Sequence, residues 1–205
     1  MEGTRPLGAA LSGHRADTMR TLIGGVGARD SRDNAIGVLV SDRLAQDAPI
    51  AAARVVVEDL SFDPVEVAER LNNEWPRFER VIFVGAVARA RPAGTVAAYR
   101  WDGELPTGDR MYDAFAAADD GVVSLENTLL IVKQMADLPD EVIVVEVEPE
   151  VAASEQGDAL SPAVSAAFER ARTLVRRLAT NSRAAADLPK SALGGGTPGS
   201  ADLAD

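Results

Sequence analysis

The sequence predicts an α/β protein: a three-layer α/β/α sandwich with a doubly wound, mostly parallel, five-stranded sheet. Near-continuous runs of Val and Ile, such as RVIFVGAV, are typical of parallel strands that are buried on both faces. These runs alternate with amphipathic segments, which is the order expected of βαβ units. A chain of 205 residues is long enough for one domain with a sizeable core.

The first half of the chain contains three predicted strands and two predicted helices. MRTLIGGV, ARVVVEDL and RVIFVGAV are the apolar runs that predict strands. A helix is predicted after the first run because Ile36, Val40 and Leu44 recur at helical spacing. DPVEVAERL predicts the second helix, since Asp63 suits an N-cap and Pro64 suits the first turn.

The second half contains two further strands and three helices. GTVAAYRW at 94–101 alternates more strongly and predicts an edge strand or hairpin arm beside the third strand. Met111 and Phe115 indicate a short helix, and Ser124 suits the N-cap of a longer one. EVIVVEVEP predicts the last strand. LSP at 160–162 predicts the start of a strongly amphipathic helix, with Ser161 as the N-cap and Pro162 in the first turn.

The composition of the two termini predicts the domain boundaries. Residues 1–18 are expected to form a flexible extension without a signal-peptide core, followed by the α/β domain over 19–180. Residues 181–205 have low complexity and predict a disordered tail.

Charge and residue usage exclude several classes of function. The net charge of −11 argues against nucleic acid or an anionic membrane as the partner. Without cysteine the chain has no disulfide, thiolate metal site or cysteine nucleophile, and the cytoplasm is the default compartment. The only histidine, His14, lies in the extension, so a Ser-His-Asp triad is not expected.

Ligands of open parallel sheets bind at the carboxyl ends of the strands, which here carry GGVGARDSRD, EDLSFD and GAVARARP. Gly25 and Gly27 are compatible with a loop that cradles a phosphate. Asp30, however, occupies the third glycine position of G-x-G-x-x-G. The alternative is a tight turn between strand and helix, with Asp33 as the helix cap.

Acidic residues provide a second candidate site at the same edge. They could perform acid–base chemistry if they converge, or could bind Mg²⁺ or Ca²⁺ through oxygen ligands, although no metal site is predicted. Glu126 has a simpler explanation, because a helix macrodipole favours an acid in the first turn. The acids concerned are Asp30, Asp33, Glu58, Asp59 and Glu126.

Two further features have alternative interpretations. The segment EVIVVEVEPEVAASEQGD holds six acids and no basic residue, and predicts either a solvated strand end and loop or a surface for a basic partner. Trp75 and Trp101 are expected to pack at the rim of the domain, where an exposed tryptophan could anchor a partner.

The run IGGVGARDSRDNAIGVLVSDRL resembles the N-terminal signature of the nickel–iron hydrogenase maturation proteases. VIFVGAVARARPAGTV resembles the third strand of that family and its following loop. SLENTLLIVKQMADLPDEVIVVEVEPE, followed by LSPAV, resembles the last helix–strand–helix passage of the family. The resemblance covers most of residues 20–180. It implies a doubly wound α/β/α domain and a cytoplasmic enzyme that trims a C-terminal peptide from the hydrogenase large subunit.

The same resemblance implies that nickel in the precursor guides recognition through a Glu, an Asp and a His of the protease. Those three positions hold Asn34, Gly85 and Glu126 here, and Ala28 replaces the asparagine of G-x-G-N. Asp33 matches the first acid of the family's N-terminal pair. An imidazole-preferring metal would therefore lack its usual ligands in this chain.

These substitutions predict a protein of the maturation-protease fold that binds the large subunit, its C-terminal segment or a maturation factor instead of cutting it. No cofactor of its own is expected, and nickel would be met only through a substrate. One alternative is an active endopeptidase with a shifted acidic site formed by Asp33, Glu58, Asp59 and Glu126. Another is a nucleotide- or small-anion-binding domain that uses Gly25 and Gly27.

Overall fold

The computed structural model describes residues 19–51, 53–106, 108–150 and 156–194. The predicted extension at 1–18 lies outside the described residues, as do residues 195–205 of the predicted tail. The strands are β1 (Thr21–Gly25), β2 (Val55–Asp59), β3 (Arg80–Ala86), β4 (Val96–Trp101), β5 (Glu141–Val147) and β6 (Lys190–Ser191). The helices are α1 (Ile36–Leu44), α2 (Ala48–Ala51), α3 (Pro64–Asn72), α4 (Asp109–Asp119), α5 (Leu125–Met135), α6 (Pro162–Thr180) and α7 (Ser182–Ala186), with a 3₁₀ turn at Arg32–Ala35.

One sheet contains all six strands in the order β2-β1-β3-β5-β4-β6. The strands β2, β1, β3 and β5 are parallel, which confirms the predicted α/β class, while β4 runs antiparallel to β5. The prediction placed β4 beside β3, but β5 lies between them. The apolar run of β5 is buried along almost its whole length, because β5 is a central strand that pairs with β3 on one side and β4 on the other.

The predicted sheet of five strands lacks β6, which pairs with the outer edge of β4. Both β6 and α7 lie within 181–205, where the composition predicts a disordered tail. Local composition missed them because the segment is held by tertiary contacts. Leu188 is buried in the main core, and Leu193 packs against the opposite core cluster.

Helices cover both faces of the sheet, as the predicted three-layer sandwich requires. On one face, α1 and α6 bury residues such as Ile36, Val40 and Val164 against Ile23 and Ile143. On the other face, α3 and α5 pack against the sheet, and α4 packs on the outside of α5. The core therefore has two parts, one on each side of the sheet.

Three predicted helix caps are confirmed. The Asp63 carboxylate accepts a hydrogen bond from the Val65 amide at 2.8 Å. Ser124 Oγ accepts from the Asn127 amide at 3.2 Å, and Ser161 Oγ accepts from the Val164 amide at 3.5 Å. These caps fix the start of α3, α5 and α6, and the last two helices begin beside the candidate site.

Within the described ranges, no helix has both the length and the apolar composition of a membrane span.

Candidate functional site

The carboxyl edge of the sheet is formed by the ends of the four parallel strands and the loops that follow them. Backbone pairing places Gly24 and Gly25 of β1 beside Glu58 and Asp59 of β2. On the other side of β1, Gly85 of β3 lies beside Glu146 of β5. The predicted site residues Gly25, Glu58, Asp59 and Gly85 therefore all lie at this edge.

Both glycines of the β1–α1 loop are packed against protein atoms. A Cβ on Gly27, where φ is +151°, would lie 1.8 Å from the backbone oxygen of Asn34. A Cβ on Gly25 would lie 2.4 Å from the backbone oxygen of Gly37 and from Ser41 Oγ. Glycine is needed here for the close approach of strand, loop and helix, and this supports the interpretation as a tight turn.

Asp33 is almost fully buried in the 3₁₀ turn and does not cap α1. Its carboxylate accepts hydrogen bonds from the Ser161 amide at 2.7 Å, Ser161 Oγ at 2.8 Å and the Glu150 amide at 2.8 Å. Asp33 thus ties the β1–α1 loop to the start of α6. The neighbouring Asn34 is also buried.

The acids at the end of β2 are paired with arginines. Glu58 binds Arg70 at 2.6 Å, and Asp59 binds Arg29 at 2.7 Å. Burial alone would raise the pKa of Asp59, but hydrogen bonds from Ser61 and Arg29 hold it below its ordinary value. Glu58 and Asp59 are therefore neutralised locally, each by its own partners. Asp30 is exposed in the loop after β1.

The position of Gly85 is closed by α5. A Cβ on Gly85 would lie 2.9 Å from the Val26 backbone oxygen and 3.1 Å from Leu125 Cβ. A side chain at this position would require α5 or the β1–α1 loop to move. The residue after Leu125 in α5 is Glu126. Its carboxylate lies 3.3 Å from the Arg89 guanidinium group and also forms an ion pair with Arg110.

Beyond Glu126, a buried set of charged groups occupies the carboxyl edge, and we call it the arginine–glutamate cluster. Glu146 is 1% exposed and accepts hydrogen bonds from Arg89 at 3.1 Å, Arg91 at 2.8 Å and the Tyr99 hydroxyl at 2.9 Å. Glu148 accepts from the Arg89 amide at 2.9 Å and from Arg91 Nε at 3.0 Å. The cluster comprises Arg89, Arg91, Tyr99, Glu126, Glu146 and Glu148.

The sequence pattern alone did not reveal this cluster. Glu146 and Glu148 belong to the acidic segment that predicted either a solvated strand end and loop or a surface for a basic partner, because the segment holds no basic residue of its own. Both side chains are instead buried. The arginines come instead from ARAR in the loop after β3, at the same edge of the sheet. The available signal was the matching spacing of Arg89 and Arg91 after β3 and of Glu146 and Glu148 at the end of β5, which lies beside β3 in the sheet.

The tyrosine of the cluster gives a testable pH dependence. Burial, together with the negative charge of Glu146, raises the pKa of Tyr99 above its ordinary value near 10. A raised pKa in the folded state stabilises the fold below pH about 10, and this stabilisation is lost as the pH rises further. We expect the free energy of unfolding to fall above pH about 10, and to fall less steeply in Tyr99→Phe.

Chemical denaturation between pH 8 and 11 measures this effect. Tyr112→Phe is the matched control, because it removes the same hydroxyl group from a tyrosine that is 76% exposed. Equal slopes for the wild type and Tyr99→Phe would contradict the assignment.

The donor chemistry of the edge does not fit a nickel ion held by this chain. The three positions given by the family resemblance offer an amide at Asn34, no side chain at Gly85, and a carboxylate at Glu126 that is already paired with two guanidinium groups. Among the residues that the structure describes, no group of three or more His, Cys, Asp or Glu could hold a metal ion. A borderline metal such as nickel prefers imidazole or thiolate ligands.

No protein-family model matches the sequence, and no curated protein compared with it is significantly similar. Solved structures, in contrast, are similar over most of the chain. An endopeptidase from Escherichia coli is 24% identical, with a TM-score of 0.58 over 83% of this chain and 96% of that one. A hydrogenase 2 maturation peptidase from a Thaumarchaeota archaeon is 27% identical, with a TM-score of 0.53 over 76% and 95%.

A hydrogenase maturating endopeptidase from Escherichia coli is 23% identical, with a TM-score of 0.51 over 77% of this chain and 90% of that one. The two Escherichia coli structures, which are less than 25% identical to this chain, establish the fold. The archaeal peptidase, at 27% identity, is also similar in sequence. The resemblance predicted from the sequence is thereby confirmed, because this chain shares the fold of solved hydrogenase maturation endopeptidases.

Proposed function

We propose that this protein acts in nickel–iron hydrogenase maturation by binding the large subunit or its C-terminal segment, without nickel-guided proteolysis. The general role rests on the fold shared with the maturation endopeptidases. The change from cutting to binding rests on the carboxyl edge of this chain. The pairing of Glu126 with Arg89 and Arg110 is the observation that carries it.

The electrostatics of Glu126 oppose a divalent cation. A carboxylate that neutralises two guanidinium groups has little charge left for a metal, and those guanidinium groups repel a cation that approaches. Because Arg89 also contacts the buried Glu146, it is held in place and cannot swing away without leaving Glu146 with one partner fewer. The edge is thus fixed in an ion-paired state.

The packing of Gly85 removes a second ligand position. Leu125 and the Val26 carbonyl occupy the space in which a side chain of residue 85 would begin. The position could not be restored by a single substitution without displacing the β1–α1 loop or the start of α5. The edge remains suited to contact between protein surfaces, since its loops carry exposed groups such as Asp30 and Ala88.

The proposed partner is a hydrogenase large subunit or a factor that accompanies it, in the cytoplasm. The absence of cysteine from the chain agrees with a reducing compartment. No specific observation favours the alternative with a shifted acidic site, because Glu58 and Asp59 are paired with arginines and Asp33 is bound to Ser161.

The proposal is tested with a nickel-loaded precursor of a nickel–iron hydrogenase large subunit. On mixing, we expect a complex that co-elutes in size-exclusion chromatography and a precursor whose mass is unchanged in mass spectrometry. Loss of a C-terminal peptide from the precursor would show an active endopeptidase. If Glu126→Gln abolished that loss while Glu169→Gln did not, the shifted acidic site would be established.

A pair of variants locates the binding surface. Ala88 is exposed in the loop after β3, whereas Ala186 is exposed in α7, which follows the end of α6 at the opposite edge of the sheet. Ala88→Trp is expected to weaken the complex by about tenfold or more, because a bulky group at a packed interface must displace contacts. Ala186→Trp should leave the affinity unchanged, and the reverse result would move the interface away from the carboxyl edge.

A further inference from the structure

A concave site lies at the amino edge of the sheet, on the opposite side from the arginine–glutamate cluster. Its cavity of about 320 Å³ is large enough for a small ligand. Trp101 at the end of β4 and Val142 at the start of β5 provide apolar lining. Four charged residues complete the lining, namely Asp102, Lys133, Asp140 and Lys190.

The lysines make this cleft unusual. Lys133 and Lys190 are the only lysines in the chain, whose other permanently cationic side chains are all arginines. They come from different elements, Lys133 from the last turn of α5 and Lys190 from β6. A lysine ammonium is a compact, mobile point charge with three donors, which suits a small ligand better than the rigid guanidinium fork does.

The charges around the cleft are not paired with one another. Among the described residues, neither lysine and neither aspartate has an ion-pair partner within 4.0 Å. Lys133 and Asp102 are half-buried, and half-buried charges elsewhere in this protein are tightly paired, as in Arg172–Asp47 at 2.6 Å and Arg70–Glu58 at 2.6 Å. Lys190 and Asp140 are exposed at the mouth of the cleft. Two cations and two anions thus line one cavity without forming an ion pair with each other.

We propose that this cleft binds a small zwitterion, an α-amino acid with an aliphatic side chain. Its carboxylate would lie between the ammonium groups of Lys133 and Lys190, and its own ammonium group would face Asp140 and Asp102. The side chain would pack on Trp101 and Val142. A simple anion would be attracted by the lysines but repelled by the aspartates, so the cleft selects a ligand that carries both charges.

The aspartates differ in their freedom to bind. Asp102 already accepts a hydrogen bond from the Glu104 amide at 2.9 Å through Oδ1, which leaves its second oxygen for a ligand. Asp140 is exposed in the loop before β5 and has both oxygens available among the described residues. Asp140 is therefore the stronger candidate partner for the ligand ammonium group. The site is independent of the proposed role in hydrogenase maturation.

Tryptophan fluorescence provides a direct readout. The chain has two tryptophans, of which Trp75 is 84% exposed and Trp101 lines the cleft. In a Trp75→Phe background, Trp101 is the only indole. Titration with L-valine is expected to change its emission along a saturable curve.

Matched probes separate the charges of the ligand. 3-Methylbutanoate has the carboxylate but no ammonium group, and isobutylamine has the ammonium but no carboxylate. Each is expected to bind at least about tenfold more weakly than L-valine, because one charged hydrogen-bonding group is lost. If 3-methylbutanoate or inorganic phosphate bound as tightly as L-valine, the proposal of a zwitterionic ligand would be overturned. The cleft would then be an unselective anion site.

Variants of the cleft complete the test. Lys133→Gln, Lys190→Gln and Asp140→Asn are each expected to weaken L-valine binding by about tenfold. Arg177→Gln, an exposed cation on α6, controls for the change in net charge and should bind as the parent does. A Trp101 signal that does not saturate, or that the cleft variants leave unchanged, would overturn the proposal.

Discussion

Replacement of Glu146 by glutamine is expected to lower the free energy of unfolding by about 3 kcal/mol. The carboxylate is 1% exposed and neutralises parts of both Arg89 and Arg91. Glutamine keeps the shape but removes the charge, so the two guanidinium groups lose their shared counter-ion in a poorly hydrated place. Because Glu126 and Glu148 remain as partners, the loss should fall at the lower end of the range for broken buried ion pairs.

Urea unfolding at pH 7 measures this loss, with Glu169→Gln as the matched control. Glu169 forms an ion pair with Arg172 at 2.7 Å, but its side chain is 65% exposed, so its removal should cost less than about 1 kcal/mol. Similar losses in the two variants would mean that the arginine–glutamate cluster contributes no more than a surface ion pair.

Substitution of Gly27 by alanine is expected to destabilise the protein by about 4 kcal/mol or to prevent folding. At this position the backbone has φ of +151°, which an L-side chain rarely adopts. The new Cβ would also meet the Asn34 backbone oxygen at 1.8 Å, and a backbone atom cannot turn aside as a flexible side chain can. The β1–α1 loop, with Asp33 and its bonds to Ser161, would have to move.

Gly121→Ala separates the two causes. Gly121 also has a positive φ, +77°, but apart from its two chain neighbours no atom of the described residues lies within 4 Å of the position of its Cβ. The Gly121→Ala variant should lose only about 1–2 kcal/mol of unfolding free energy, which is the cost of the left-handed conformation. Urea unfolding compares the two variants, and the yield of soluble protein reports on Gly27→Ala if it does not fold. If Gly27→Ala were as stable as the wild type, the loop would have room for a ligand, and the phosphate-cradle alternative would regain support.

The sequence was informative where local pattern controls structure. The apolar runs located five strands, and residues such as Asp63 and Ser124 located helix starts by the hydrogen bonds that they make. The β6 strand was missed because two residues carry no periodicity. It forms through the pairing of Lys190 and Ser191 with β4, a long-range contact with no local signal.

The candidate site was less predictable than the fold. The glycines and acids were placed at the correct edge, because parallel strands end on the same side of a sheet. Whether the acids meet one another depends on side-chain partners, and the structure pairs Glu58, Asp59 and Glu126 with arginines. The loop that carries ARAR was expected at this edge, but the pairing of its arginines with Glu146 and Glu148 was not.

The sequence by itself determined the α/β class, the order of the first strands and helices, the resemblance, and the residues Asn34, Gly85 and Glu126 at the three positions that the resemblance compares. Only the tertiary structure decided that Gly85 is closed by Leu125 and that Glu146 is buried between Arg89 and Arg91. The reason is physical. Strand and helix propensity act within a few residues, whereas the partner of a buried charge is set by which distant segments the fold brings within a few ångströms.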